Sequence, residues 1–240
     1  MVVEMGDLGR YNGCSISNLN RNFGGTMEKK YCIFDMDGTL VDSMGYWRSL
    51  GRDYLAVKGI TGSQAEEVLK QIKPLTMLEA AQLFRECFAL EGEPQTIVDE
   101  MNDVMRQHYL EDVALKPGVL DFLERKRNEG CRMCVATATN EHLARLCFQR
   151  LGIDRFFEFV LSCETMKVRK THPDIYLEAA RRLGCCPEET AVFEDAMYAA
   201  RTAKNGGFYT VAVWDTVQSG DWEQICEFVD ETITDWYKAE

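Results

Sequence analysis

The stretch CIFDMDGTLVDS, residues 32 to 43, decides how the rest of the chain is interpreted. An apolar run leads into Asp35, a second acid follows at Asp37, and Gly38 comes directly after it. An unbroken apolar run bounded by a glycine is typical of a parallel strand that is buried on both faces. The sequence therefore predicts a buried strand over residues 31–35 that brings two carboxylates to its carboxyl end.

Four later segments resemble this strand and alternate with helical patterns. The predicted strands are Arg132 to Thr137, Phe157 to Ser162, Thr190 to Glu194 and Phe208 to Val213. The helical patterns cover residues 119–128, 140–151, 173–183 and 196–205, and each is followed by a glycine, which commonly ends a helix. This alternation with short joints predicts an α/β fold with a doubly wound parallel sheet, a Rossmann-like core.

Residues 44–114 interrupt the alternation. They show three or four helical patterns and no convincing strand, with Gly62, Pro74 and Pro94 between the patterns. We therefore expect an α-helical cap domain over 44–114, inserted into a core domain formed by 27–43 and 115–240. Residues 1–26 are rich in Asn, Gly and Ser and are predicted to be a mobile leader, with translation starting at either Met1 or Met27.

Composition excludes several classes of function. The chain has 27 Lys and Arg against 39 Asp and Glu, and this charge of −12 argues against a nucleic-acid partner. No segment approaches the roughly 18 apolar residues of a membrane span, so we expect a cytoplasmic protein without a membrane partner, as a monomer or weak dimer. Cys131 and Cys134 form a C-x-x-C motif, but no second pair follows and only three histidines are present, which disfavours zinc.

Polar residues cluster at the predicted strand ends, where ligands bind in open parallel sheets. The first strand ends at Asp35 and Asp37, the second at Thr137, and the fourth at Glu194 and Asp195. Like charges about 4 Å apart repel by on the order of 4 kcal/mol per pair near a protein surface. A divalent cation would relieve that repulsion, and ligands that are all oxygen favour Mg²⁺.

Four groups of residues, in chain order, resemble the four motifs of the haloacid dehalogenase (HAD) superfamily of phosphotransferases: Asp35-x-Asp37-Gly38-Thr39, Thr137, Lys170 ahead of Pro173-Asp174, and Glu194-Asp195. Their spacing is similar to the subfamily with a helical cap after the first motif, which includes phosphoglycolate phosphatase and β-phosphoglucomutase. The resemblance covers residues 31 to about 214. It departs from the family pattern at residues 169–172, which replace the usual Gly-Lys-Pro sequence, and at two small residues after the last acidic pair.

The resemblance implies a role for each motif. Asp35 would be the nucleophile that forms an aspartyl phosphate, and Asp37 would be the general acid and base. Thr137 would donate a hydrogen bond to a phosphoryl oxygen, while Lys170 would neutralise charge on the nucleophile and the transferred group. The Mg²⁺ ligands would be the Asp35 side chain, the Asp37 backbone carbonyl, Asp195, and Glu194 directly or through water.

Alternatives remain open for each motif. Thr137 or Thr139 could cap the following helix, and we prefer Thr137 as the functional residue because it ends the strand. Lys167 and Arg169 compete with Lys170, which is preferred by register. The two acidic pairs could instead form a turn and an ordinary helix start.

The function predicted is that of a Mg²⁺-dependent phosphatase acting on a small phosphorylated metabolite, a sugar phosphate or a phosphoglycolate-like ester. One alternative is a phosphomutase that uses the same aspartyl phosphate. The mutase branch has a histidine twelve residues after the nucleophile, where this chain has Trp47. A second alternative is a catalytically silent, ligand-sensing protein of the same fold, which the intact acids and Lys170 disfavour.

Overall fold

The computed structural model of the chain describes residues 29–72, 75–217 and 219–239. The predicted leader over residues 1–26 and the question of Met1 or Met27 lie outside the described residues. None of the described helices is both long enough and apolar enough to cross a lipid bilayer.

A six-stranded sheet forms the centre of the fold, in the order β3-β2-β1-β4-β5-β6. Every neighbouring pair is parallel. The strands are β1 (Tyr31–Phe34), β2 (Arg132–Thr137), β3 (Val160–Ser162), β4 (Thr190–Glu194), β5 (Tyr209–Val213) and β6 (Glu231–Ile233). The order reverses at β1, with β2 on one side and β4 on the other, so the predicted doubly wound α/β sheet is confirmed.

Two strands differ from the prediction by more than one terminal residue. β3 begins at Val160 rather than Phe157, because a 3-10 helix over Asp154–Phe156 precedes it and Phe157 follows that turn. β6 was not predicted, since its three residues contain no apolar run and it pairs only with β5 at the sheet edge.

Helices cover both faces of the sheet because successive side chains of each strand point to opposite faces. In β1, Cys32 and Phe34 pack on one face with α5 (Val119–Asn128) and α6 (Glu141–Leu151). Ile33 packs on the other face with α8 (Asp174–Leu183) and α9 (Met197–Asn205). Two short helices complete this layer structure, α7 (Cys163–Met166) and α10 (Trp222–Cys226).

Four helices lie between β1 and α5 along the chain: α1 (Met44–Val57), α2 (Ser63–Gln71), α3 (Met77–Phe88) and α4 (Pro94–Glu111). Their buried side chains, including Tyr54, Phe84 and Met101, continue the core on the face covered by α5 and α6. Helix α4 contacts α1, α3 and α6. Within the described part of residues 44–111 there is no strand, as predicted, and the division into cap and core domains stays a prediction.

Two connecting segments join these four helices to the sheet and run side by side. Val41 and Leu115 form an antiparallel bridge, and the Lys116 N–H donates to the Leu40 carbonyl over 3.0 Å. Gly38 begins the outgoing segment with a φ of +76°, a conformation that favours glycine. A side chain at this position would also collide with the carboxylate of Asp195.

Candidate active site

A cavity of about 370 Å³ lies at the carboxyl ends of β1, β2 and β4. The strand ends contribute polar side chains, among them Asp35, Thr139 and Glu194. Helices α1 and α3 contribute Met44, Trp47 and Met77. The cavity is therefore lined both by residues of the strand ends and by residues of the inserted helices.

Lys170 is the central cation of the cavity. Its Nζ donates to Asp35 Oδ1 and, over 2.7 Å, to Glu194 Oε1. Lys170 is only 4% exposed, whereas Lys167 and Arg169 are exposed. The structure thus brings Lys170 to the acids and leaves its two competitors in solvent.

The acids outnumber the cation, and this changes their proton affinities. Burial disfavours the charge on Lys170, but the Asp35 and Glu194 carboxylates outweigh it and the pKa of Lys170 is raised. Burial also raises the pKa of Asp35, and Glu194 and Asp195 act in the same direction against Lys170. Burial and the neighbouring Glu194 raise the pKa of Asp195 to about 7. The cluster therefore holds excess negative charge.

Three of these acids fit a divalent cation. Asp35, Glu194 and Asp195 each offer a carboxylate oxygen, and the three oxygens lie within 4.8 Å of one another. Asp195 Oδ2 is buried and has no hydrogen-bond partner among the described residues. A buried carboxylate oxygen without a donor is costly unless a cation binds it. Oxygen ligands of this kind suit a hard ion such as Mg²⁺.

Asp37 lies in a different environment, formed by three neutral hydroxyl groups. Ser43 Oγ and Tyr109 OH each donate to Asp37 Oδ1 over 2.6 Å. Thr139 Oγ1 donates to Asp37 Oδ2, also over 2.6 Å. Ser43 precedes α1, Tyr109 lies in α4, and Thr139 follows β2, so the three donors come from separate parts of the chain.

The two threonines after β2 have separate positions. Thr137 is fully buried, and its hydroxyl accepts a hydrogen bond from the Thr139 N–H over 3.0 Å. Thr139 lines the cavity, whereas the start of α6 is capped by Asn140, which accepts from the His142 N–H. Neither threonine is the helix cap. Thr139 is the hydroxyl that faces the cavity, and the phosphate contact of Thr137 stays a prediction.

Glu194 and Asp195 do not form a helix start. Glu194 is the last residue of β4, and α9 begins at Met197 with no acidic residue in its first turn. The Glu194 carboxylate accepts from Lys170 and, over 2.7 Å, from the hydroxyl of Tyr176. Tyr176 is buried in α8. The positions of the two acids therefore indicate a role in the cavity rather than in helix capping.

Sequence reasoning missed four polar partners: Ser43, Tyr109, Thr139 as a partner of Asp37, and Tyr176. The two tyrosines occupy helix positions with a core pattern, which gives no sign that the hydroxyl reaches an acid. Trp47 lines the cavity and donates from Nε1 to the Tyr109 hydroxyl over 3.1 Å.

The C-x-x-C cysteines do not form a pair. Cys134 is fully buried, while Cys131 is half-buried and its sulfur lies 3.3 Å from that of Cys32. Within the described ranges, the only group of side chains that could hold a metal is the carboxylate cluster.

The description "haloacid dehalogenase-like hydrolase" belongs to a family model that matches residues 29–207. The chain belongs to this family. The resemblance deduced from the four motifs is confirmed, as is the prediction of a HAD-type hydrolase.

Named relatives agree with this assignment. Fructose-1-phosphate phosphatase YqaB of Escherichia coli is 29% identical over 182 residues, which are 75% of this chain and 94% of that protein. Phosphoglycolate phosphatase of Rhodobacter capsulatus is 29% identical over 180 residues, 73% of this chain and 80% of that protein.

A solved structure shows the same fold. CbbY from Rhodobacter sphaeroides, determined in complex with phosphate, superposes with a TM-score of 0.65 at 23% identity. The match covers 88% of this chain and 96% of that one.

Proposed function

We propose that this HAD hydrolase is a Mg²⁺-dependent phosphatase that cleaves a small phosphomonoester through an aspartyl phosphate on Asp35. The observation that supports it best is the contrast between two aspartates that face one cavity. Asp35 is ion-paired with Lys170 beside two further carboxylates, whereas the Asp37 carboxylate has hydroxyl groups as its hydrogen-bond donors within the part of the chain that the structure describes. A nucleophile and a separate acid-base group need this kind of division.

In the first step, an Asp35 carboxylate oxygen would attack phosphorus while the bond to the ester oxygen breaks. Asp37 would give its proton to the leaving alcohol. In the second step, Asp37 would take a proton from water as that water displaces the phosphoryl group from Asp35, which releases inorganic phosphate. Lys170 would balance charge on Asp35 and on the phosphoryl oxygens throughout.

Asp35, Glu194 and Asp195, with the backbone carbonyl of Asp37, would hold Mg²⁺. When bound, the ion would offset the repulsion among these carboxylates and between them and a phosphate. Support comes from Asp195 Oδ2, which has no hydrogen-bond partner among the described residues, and from burial and neighbouring carboxylates, which raise the pKa values of Asp35 and Asp195.

The substrate would be a sugar phosphate or a phosphoglycolate-like ester. A cavity of about 370 Å³ suits a small ligand. The names of two relatives specify fructose 1-phosphate and phosphoglycolate. Met44, Trp47 and Met77 of the inserted helices also line the cavity and would contact the alcohol part of the ester.

Hydrolysis is favoured over phosphoryl transfer within one sugar. Trp47 stands where the mutase branch has a histidine, and an indole N–H cannot accept a proton. It already donates to Tyr109. A ligand-sensing role without catalysis is disfavoured because Asp35, Asp37 and Lys170 are all present and all line the same cavity.

The test is phosphate release from fructose 1-phosphate, glucose 6-phosphate, 2-phosphoglycolate and 4-nitrophenyl phosphate, with and without Mg²⁺. Asp35→Asn should reduce kcat by at least about 10³-fold on every substrate that the wild type cleaves, since the nucleophile is lost. The control is Asp42→Asn, an exposed acid of the same segment, which should retain activity. Activity in Asp35→Asn at the level of the control, or no dependence on Mg²⁺, would contradict the proposal.

A further inference from the structure

We infer that Tyr109 is a positioning residue for Asp37 and that Trp47 in turn holds Tyr109. This inference rests on the proposed function, in which Asp37 protonates the leaving alcohol. It assigns to the inserted helices α1 and α4 a direct influence on the acid-base step.

The hydrogen bonds form a directed chain. Trp47 Nε1 donates to the Tyr109 hydroxyl over 3.1 Å, and that hydroxyl donates to Asp37 Oδ1 over 2.6 Å. A phenol has one proton to give and can also accept. Because the Tyr109 hydroxyl donates its hydrogen bond to Asp37, its oxygen can accept a hydrogen bond from Trp47. The indole can only donate, so the direction of the chain from Trp47 to Asp37 is fixed.

The main chain of Tyr109 is hydrogen-bonded to helix α6, which packs on the sheet. Arg150 of α6 donates from Nε to the Tyr109 carbonyl over 2.9 Å, and its guanidinium also bonds to the Val113 carbonyl. Tyr109 itself is 1% exposed. Tyr109 is therefore held at two points, by α6 through its carbonyl and by α1 through its hydroxyl.

This anchoring matters because a carboxyl group can rotate about its last torsion angle. One carboxylate oxygen of Asp37 accepts hydrogen bonds from Ser43 and Tyr109, and the other accepts one from Thr139. Donors on both oxygens fix the plane of the carboxyl group. Proton transfer to a leaving oxygen requires hydrogen-bond distance and alignment, so a rotated Asp37 would protonate it poorly.

The test uses the identity of the leaving group. An alkyl phosphate must expel an alkoxide and depends on the acid, whereas 4-nitrophenyl phosphate expels a stable phenolate and depends on it little. Tyr109→Phe removes the hydroxyl and keeps the ring. We expect kcat/KM, which reports the first step and not the hydrolysis of the aspartyl phosphate common to all substrates, to show the difference. It should fall about 10-fold with fructose 1-phosphate, or with the alkyl phosphate of the panel that is cleaved fastest, and less than about 2-fold with 4-nitrophenyl phosphate.

Tyr54→Phe is the matched control. Tyr54 is another buried tyrosine of the inserted helices, and its hydroxyl donates to Glu100 Oε2 over 2.7 Å, remote from Asp37. Tyr54→Phe should change the rates with the alkyl phosphate and with 4-nitrophenyl phosphate equally, or leave both unchanged. Thermal unfolding of both variants separates a loss of stability from a loss of alignment. If Tyr109→Phe does not fold, Trp47→Phe tests the same series of hydrogen bonds. It should show a smaller difference between the two substrates, in the same direction.

Asp37→Asn gives the reference, because it should show the largest difference between the two substrates. If Asp37→Asn shows that difference and Tyr109→Phe lowers both rates equally, or neither, the inference about Tyr109 is wrong while the proposed function stands. If Asp37→Asn shows no such difference, the acid role fails and the proposed function with it.

Discussion

The cavity has two sides that differ in chemistry, although the aspartates that they contain, Asp35 and Asp37, are only two residues apart in the chain. The ionic side consists of Asp35, Lys170, Glu194 and Asp195, all of them buried. The hydroxyl side consists of half-buried Asp37 with the hydroxyls of Ser43, Tyr109 and Thr139. The same side chain thus meets opposite surroundings, and these surroundings decide which role each aspartate can perform.

The two sides also differ in origin. Asp35 directly follows β1 and its N–H still donates to the Phe193 carbonyl of β4 over 2.9 Å, so the ionic side belongs to the sheet. Asp37 precedes the turn at Gly38 and is met by donors from a connecting segment, from α4 and from the end of β2. The inserted helices therefore reach Asp37, the proposed acid-base residue, by hydrogen bonds, whereas Asp35, the proposed nucleophile, is bound by β4 and by Lys170 of the core.

Lys170→Met would break the ionic side and should have the largest effect. Two buried carboxylates, those of Asp35 and Glu194, would lose their shared cation, and leaving a buried charge uncompensated costs about 3–5 kcal/mol of folding stability. Loss of the cation beside the phosphoryl group should lower kcat by about 10³-fold. Phosphate release and thermal unfolding measure the two effects.

Lys167→Met provides the comparison for Lys170→Met. It removes a positive charge from the same loop, but Lys167 is exposed, and both activity and stability should stay near wild type. Equal behaviour of the two variants would show that the ionic side does not depend on Lys170.

Thr139→Val would break the hydroxyl side while leaving the ionic side intact. Among the described residues, Thr139 is the one that donates to Asp37 Oδ2. Its loss should lower kcat/KM with an alkyl phosphate about 10- to 100-fold, because a small misplacement of the acid is costly, and should affect kcat/KM with 4-nitrophenyl phosphate far less. Thr139→Ser retains the hydroxyl and should recover most of the rate. A loss of equal size in Thr139→Ser would indicate that the methyl group, not the hydroxyl, matters.

The ionic side could be predicted from sequence because it depends on strand ends. Each of its acids follows an apolar run, and parallel strands bring their carboxyl ends to one edge. Lys170 was distinguished from Lys167 and Arg169 only by register, and burial in the folded chain now separates them. The extent of α5 followed from apolar periodicity and from the glycine behind it, and three or four inserted helices were expected from periodicity with glycine and proline between the patterns.

The hydroxyl side could not be predicted in the same way. Tyr109 is 72 residues from Asp37 and lies in a helix whose register in sequence indicates only a buried ring. Whether its hydroxyl reaches an acid depends on how α4 packs against α6, a tertiary feature without a local signal. β6 was missed for a related reason, since Glu231–Ile233 becomes a strand only because β5 offers a free edge.

Tyr176→Phe would sharpen the comparison by changing the ionic side from outside the cavity, and should have the smallest effect of the three. Tyr176 donates to Glu194 Oε1 and so fixes the orientation of a candidate metal ligand. Loss of such an outer partner typically weakens metal binding by 10-fold or more. We expect the Mg²⁺ concentration for half-maximal activity to rise about 10-fold, with kcat at saturating Mg²⁺ close to wild type.

Tyr209→Phe is the control for Tyr176→Phe, because the Tyr209 hydroxyl also donates to a glutamate, Glu231, over 3.2 Å, at the sheet edge and away from the cavity. It should leave the Mg²⁺ requirement unchanged. A lower kcat in Tyr176→Phe with an unaltered Mg²⁺ requirement would mean that Tyr176 supports Lys170 rather than the metal ligand, since both side chains contact the same Glu194 oxygen. The two outcomes therefore separate the cation-binding role of the ionic side from its charge-balancing role.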